Sequence, residues 1–282
     1  MMKKYILFIN LFFCGLCSIA QPVESFLFKG EWGFSVGANQ YLGDLNPVGN
    51  FNYFQPSFNV YYKKNISKNF GLRFAFEYNK LAYADAYNNA DYIEFRERNL
   101  SFENQTFGFL AGVEFNFLRY TPGSYNHRFT PYLGLNLGVI YTNPYSFDNL
   151  NNQVYLRPLI TERLNIDDKS EKYDFITGIA PVTLGLKFNV STHVNLFAEF
   201  SYVFTLTDYL DDVSKQYAGI DAFVGQPVSA YFQDRSFNQV YGVKGKERGS
   251  GMFLDNYMTG RFGVSFNFLE SCCPVPEKIR YY

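Results

Sequence analysis

The chain has 282 residues and a formal charge of −1, so it carries no basic field that would draw nucleic acid or anionic lipid. Aromatic residues make up 20% of it and mean hydropathy is −0.17. No stretch beyond the first twenty residues approaches the ~20 consecutive apolar residues of a membrane helix.

Residues 1–20 read as a cleaved export signal. Lys3 and Lys4 form a basic start, Tyr5 to Leu16 is an apolar core broken only by Asn10, and Ser18-Ile19-Ala20 offers a small-residue cleavage site before Gln21. Cys17 raises a lipoprotein signal as a rival, but Leu16 is a poor residue to precede a lipidated cysteine. Residues 21–282 then form one domain with a short tail at 270–282.

From there apolar and small or polar residues alternate along eight tracts, the period of a strand whose two faces meet different surroundings. Glu31 to Tyr41 puts Trp32, Phe34, Val36 and Ala38 on one face, and Phe54 to Lys63 does so with Phe58, Val60 and Tyr62. Phe70 to Lys80 shows Leu72, Phe74, Phe76 and Tyr78. Glu103 to Leu118 sets Phe107, Phe109, Ala111, Val113, Phe115 and Phe117 against Gly108, Gly112, Glu114 and Asn116. Phe129 to Thr142 and Pro181 to Val190 follow, with Leu133 to Tyr141 and Val182 to Phe188 as their apolar rows. Val194 to Leu206 and Tyr257 to Phe268 complete the set, the last with Phe262, Val264, Phe266 and Phe268. No tract shows a helix period.

The polar faces hold Gly, Ser, Asn and single charges, seldom the dense Lys and Glu of a water-washed sheet. That suits a barrel with lipid outside and a crowded interior. A soluble lipocalin-type barrel would reverse the faces and has no reason to alternate its loop lengths. Connections do alternate: 64–69, 119–128 and 191–193 are short, whereas 42–53, 81–102, 143–180 and 207–256 are long. The expected fold is therefore all-β: a transmembrane antiparallel up-and-down barrel of about eight strands in a Gram-negative outer membrane. Its long loops are extracellular and its N- and C-termini periplasmic.

Arg73, Glu77, Glu114, Lys187, Glu199 and Arg261 fall on the inward face and balance in sign. An eight-stranded interior is just wide enough for its own side chains, and buried charges there must pair. A plugged barrel, not a wide pore, is expected.

Catalytic signals are absent from the sequence. His127 and His193 both fall in short turns, away from the acids of the long loops, so no Ser/His/Asp arrangement can form at that rim. No phosphate loop or His/Cys metal spacing occurs, and the vicinal pair Cys272 and Cys273 has no further ligands nearby. No cofactor, metal or small-molecule substrate is expected. The densest local feature is Thr207-Asp208-Tyr209-Leu210-Asp211-Asp212-Val213-Ser214, whose carboxylates serve either as caps of a turn or as oxygen ligands of a hard cation. Tyr41-Leu42-Gly43-Asp44-Leu45-Asn46-Pro47 reads as a turn at the same rim.

These two segments resemble the PorG family, outer-membrane barrels of the Bacteroidetes type IX (Por) secretion system. Glu97 to Phe102, Phe129 to Leu133, and Arg248-Gly249 with Asp255-Asn256-Tyr257 are similar to further blocks of that family in the same order. The resemblance covers nearly the whole mature chain, and it rests on Gly43, Asp44, Asn46, Asp208, Tyr209, Asp211, Asp212 and Ser214. Gly178 to Gly185 departs from it, where an Ile-Pro-Phe-Gly-like run is expected. It implies a non-enzymatic outer-membrane component that anchors or organises a periplasmic ring of PorK and PorN type needed for protein export. Partner contacts would then involve the short turns, Gln21 to Gly30 and the tail from Glu270. The rival readings are a porin-like channel, a structural or adhesive barrel unrelated to secretion, and a loop-carboxylate hydrolase or acyltransferase.

Overall fold

The computed structural model describes residues 30–88, 93–121, 127–162, 172–251 and 254–268. The export signal, residues 21–29 and the tail with Cys272 and Cys273 lie outside the described residues.

Ten strands follow in chain order: β1 (Gly30–Leu42), β2 (Gln55–Asn65), β3 (Phe70–Ala84), β4 (Ser101–Asn116), β5 (Phe129–Tyr141), β6 (Tyr145–Phe147), β7 (Gln153–Tyr155), β8 (Ile176–Asn189), β9 (Val194–Thr205) and β10 (Asn256–Phe268). Eight of them close a barrel, each antiparallel to its neighbours, and β1 pairs with β10 from Gly30↔Phe268 to Leu42↔Asn256. Closure leaves none of these eight strands with an open edge to template aggregation. The short β6–β7 hairpin stands above the barrel and touches β4 through Glu103↔Tyr145.

Each expected tract coincides with a barrel strand. The largest difference is β8, which starts at Ile176, five residues before Pro181. A proline usually marks the first residue of a strand because it cannot donate to the ladder. Here the β5–β8 ladder is interrupted beside Pro181 and resumes at Gly138↔Ile179.

Alternation sorts the side chains as the period requires. Trp32, Phe34, Phe74, Phe109, Leu137, Leu184 and Phe266 are among many large apolar residues exposed on the barrel wall. Such a continuous apolar exterior is one that hydrocarbon solvates well and water does not. Ser35, Asn59, Asn79, Thr106, Thr183 and Ser201 are buried inside. Inward glycines make room for rings: a Cβ on Gly33 would lie 2.1 Å from the Tyr61 ring, and one on Gly185 2.2 Å from the Tyr132 ring.

All short connections lie at one end of the barrel and all long ones at the other. At the long end, the described residues of 43–54, 85–100, 142–175 and 206–255 pack into a cap, and these include two short α-helices, α1 (Ile93–Arg98) and α2 (Pro227–Gln233). Leu45, Leu81, Leu100, Leu156, Leu210 and Phe232 give that cap a buried apolar core joined to the barrel rim.

Candidate functional site

Two features could carry function: the filled lumen and the cap. In the lumen, all six expected inward charges are buried, and Glu31 and Lys63 join them. Toward the short-turn end, Lys63 bridges Glu31 at 2.7 Å and Glu114 at 2.8 Å, while Lys187 sits 3.0 Å from both acids. Tyr61 donates its hydroxyl to Glu31 at 2.6 Å. Nearer the cap, Glu199 accepts from Arg73 at 2.8 Å and approaches the Arg261 Nε at 3.2 Å, and Arg261 reaches Glu77 at 3.1 Å. β3 and β9 face each other across the ring of eight strands, so the Arg73–Glu199 pair crosses the whole lumen. At the short-turn mouth, Tyr120 donates to Asn195, which is tied in turn to Asn189, Ser265 and Asn267. These bridges leave the barrel filled along its length.

The cap draws together residues that are far apart in sequence. Tyr41, at the end of β1, places its hydroxyl 2.6 Å from Asp211 Oδ2 and 2.7 Å from Asp255 Oδ1. A phenol has one proton, so one of those carboxyls must carry another to complete the pair of hydrogen bonds. Asp211 also accepts from the Val213 amide at 2.8 Å, and Asp255 from the Leu210 amide at 2.9 Å. Gly43 sits where a Cβ would come within 1.9 Å of Asp255 Oδ1, so no larger residue fits without displacing that carboxyl. Asn46 shapes the turn after β1 by donating to the Tyr41 carbonyl at 2.8 Å and accepting from the Asn50 amide at 2.8 Å. Asp212, in the left-handed region at φ +68°, accepts from Thr161 at 2.6 Å and Tyr173 at 2.8 Å. Tyr209 stacks on Tyr173 with centroids 4.8 Å apart. Ser214 donates to Asp208 at 2.7 Å.

Two arginines bind the segments to one another. Arg98 grips Asp85 through Nε at 2.8 Å and Nη2 at 2.7 Å, and donates to the carbonyls of Asp44 and Arg248. Arg248 meets Glu162 at 3.0 Å and donates to the Asp212 carbonyl. Glu162 accepts in addition from the amides of Ser214 and Lys215, at 2.8 and 3.0 Å. Loops after β1, β3, β5 and β9 are thereby locked into one body.

Residues 7–223 match the family model described as "Domain of unknown function (DUF6089)". The chain belongs to the DUF6089 family. The matched span ends before β10. Among solved structures, the DUF6089 chain is similar to the attachment invasion locus protein Ail of Yersinia pestis, with 13% identity, 85% of this chain and 99% of that one covered, and a TM-score of 0.39. It is also similar to Neisserial surface protein A, with 13% identity, 85% and 97% covered and a TM-score of 0.40. A third is OprG from Pseudomonas aeruginosa, with 9% identity, 86% and 98% covered and a TM-score of 0.39. Among curated proteins there is no match to this sequence.

The cap of this DUF6089 barrel is electrostatically lopsided. Burial raises Asp208 and Asp212 to about 6, and it holds Asp211 and Asp255 well above the usual carboxylate range. Asp44 and Asp85 are raised by burial too, although Arg98 lies against Asp85. Acids tuned in this way resemble general-acid groups. Their partners are hydroxyls, amides and arginines and not an imidazole: His127 and His193 lie at the short-turn end, as their sequence positions imply. Among the described residues no group of three or more His, Cys, Asp and Glu side chains is disposed to cage a metal.

The structure brings Gly43, Asp44, Asp208, Asp211, Asp212 and Ser214 to one side of the rim, with Asn46 and Tyr209 at its margins. Sequence reasoning missed Asp85 and Glu162, lone acids in polar loops with no local signal. Arg98, Arg248 and Asp255 sat inside the family-like blocks but had no assigned role until their partners were in place.

Proposed function

We propose that this DUF6089 barrel is a non-enzymatic outer-membrane anchor for a type IX protein secretion apparatus. Its cap faces the outside, and its short turns and termini face the periplasm. One observation carries the anchoring part of this reading: the Arg73–Glu199 and Lys187–Glu31 bridges span the lumen, so the barrel is a fixed body in the bilayer and has no path for solutes. The apolar wall supports the membrane assignment, and the sidedness of the loops supports the orientation. The secretion system itself enters through the resemblance to the PorG family, whose rim blocks come together in the cap. The periplasmic partner is then a PorK and PorN type ring, met by the short turns at 66–69, 117–128 and 190–193 together with the tail.

Deleting the gene and assaying secreted cargo tests this directly. Loss of secretion, with the ring proteins present but no longer recovered with the outer membrane, is the expected result; normal secretion overturns it. Removing the residues beyond Phe268 should leave a folded barrel that recovers less of the ring in a pull-down. A second reading, a structural or adhesive barrel unrelated to secretion, draws on the exposed Val224, Phe237, Val240 and Val243 at the outer surface of the cap. Intact secretion together with lost surface attachment would favour it.

A further inference from the structure

The carboxyl oxygens of the cap divide into those with donors and those without. Asp85, Glu162 and Asp212 accept at both oxygens from arginines, hydroxyls or main-chain amides, and Asp211 and Asp255 have a partner at both oxygens, a main-chain amide at one and the Tyr41 hydroxyl at the other. Asp234 likewise accepts from the Ser236 and Gly242 amides, at 3.0 and 2.6 Å. Asp44 and Asp208 are different. Asp44 is 9% exposed, and its Oδ1 accepts from the Ser250 amide at 2.9 Å while its buried Oδ2 has no partner. Asp208 spends Oδ2 on Ser214, and its Oδ1 is buried without a partner as well.

Both carboxyls lie beside Ser214, and the Asp44 charge is near enough to help raise Asp208. A Cβ built on Gly249 would lie 2.3 Å from Asp44 Oδ2 and 2.8 Å from the Ser214 Cα, so the free oxygen of Asp44 lies against the Ser214 backbone. Ser214 holds Asp208 from its other side, and the Ser214 carbonyl lies 3.2 Å from a Cβ built on Gly251. Ser214, Gly249, Ser250 and Gly251 line a cavity of about 290 Å³, together with Lys215, Gln216 and Glu247. Burying a carboxylate oxygen with no donor is costly; the charges of Arg98 and Arg248 ease Asp44 but are outweighed by its burial, and neither gives it a hydrogen bond, since Arg98 is spent on Asp85 and Arg248 on Glu162 and Asp212.

We propose that Asp44 and Asp208 bind a hard divalent cation, of the calcium or magnesium class, at the junction of the β1 and β9 loops. The available donors are all oxygen: two carboxylates, with the Ser214 hydroxyl and carbonyl at hand. The adjoining cavity has room for the waters that such ions keep. No thiol or imidazole is part of the site, which disfavours zinc. The octet's carboxylates thus divide, with Asp211 and Asp212 building the cap and Asp208 left for the ion. Occupancy would fasten the turn after β1 to the segments 208–214 and 249–251 and stiffen the cap. The site stands independently of the secretion reading.

The test uses the full mature protein folded in detergent and stripped with chelator. Calcium or magnesium is titrated by calorimetry, and loop cleavage by a protease is timed with each ion at about 5 mM, with chelator, and with sodium chloride of equal ionic strength. Saturable binding to the wild type is expected, with cap cleavage slowed about tenfold at ten times Kd. Asp208→Asn should abolish both, while the barrel keeps its heat-modifiable migration. Asp44→Asn should do the same; because Asp44 also orients Ser250, the half-buried Asp208 decides the matter. No heat and unchanged cleavage in the wild type would overturn the proposal, and so would an Asp208→Asn protein that responds fully to the ions.

Discussion

Among the described residues, the lumen buries four acids and four bases, whereas the cap buries seven acids and two arginines. The two regions are continuous at the rim, yet they neutralise charge by different means. Strands fix the spacing of lumen side chains, and their main-chain amides are used up in the ladder, so an inward carboxylate can be satisfied only by another side chain. Loops have spare amides and can bend them toward an anion. The cap therefore satisfies Asp255, Asp211, Glu162 and Asp234 largely with main-chain N–H groups and hydroxyls. Charge in the lumen is matched by composition; in the cap it is matched by conformation.

Breaking the lumen side of this contrast should have the largest effect. Glu199→Gln removes the shared partner of Arg73 and Arg261 and leaves both cations buried. A loss of about 3–5 kcal/mol is expected, read as a lowered urea midpoint for the folded band of the barrel. A loss below about 1 kcal/mol would show that water or neighbouring acids compensate, and the lumen would not be the tight plug described.

Breaking the cap should be nearly as costly but local. Arg248→Met unties Glu162 and the Asp212 carbonyl, and cleavage within 206–255 should rise by the equivalent of about 3 kcal/mol. The barrel's own urea midpoint should move by less than about 0.5 kcal/mol, because the two charge sets share no partner. If both transitions fall together, cap and barrel are one cooperative unit.

The smallest effect sharpens the contrast through pH. Asp212 faces Arg248, Glu162, Tyr173 and Thr161, and burial lifts it to about 6 from an ordinary 3.8. A carboxyl raised in the folded state takes up a proton on folding, so its contribution is full below about pH 4 and is lost as pH rises through about 6. In chelator, the cap should therefore resist protease better at pH 5 than at pH 7, with Asp212 contributing about 1.3 kcal/mol that Asp212→Asn removes. Weaker protection at pH 5 would mean that the cap's amides and Arg248 hold Asp212 ionised.

Much of the barrel was legible because a strand's faces repeat every two residues, and the repeat needs no knowledge of the partner. The same rule places Lys63 inward once Tyr62 is outward, yet Lys63 and Glu31 went unread as lumen charges because they sit at tract ends, where alternation fades into turns. Pro181 hid the first turn of β8 for a related reason: it looks like a strand's beginning. The cap was far less legible. Tyr41 and Asp211 meet across 170 positions, and Arg98 and Arg248 across 150, so no local window contains the interaction. The rim segments could be recognised as blocks, but which carboxylates are satisfied and which are left over depends on loop geometry that only the assembled fold supplies.

The seam between β1 and β10 joins the first described strand to the last, over thirteen residues of each. Until residue 268 has arrived, the nascent wall has two raw margins and cannot form a ring. Contacts of such wide sequence separation are slow to form, and an unfinished sheet is prone to wrong pairings meanwhile. The polypeptide must be kept unpaired until its β10 segment is delivered. The segment that completes the cap, 206–255, immediately precedes that strand, so lid and wall reach completion together at the end of assembly.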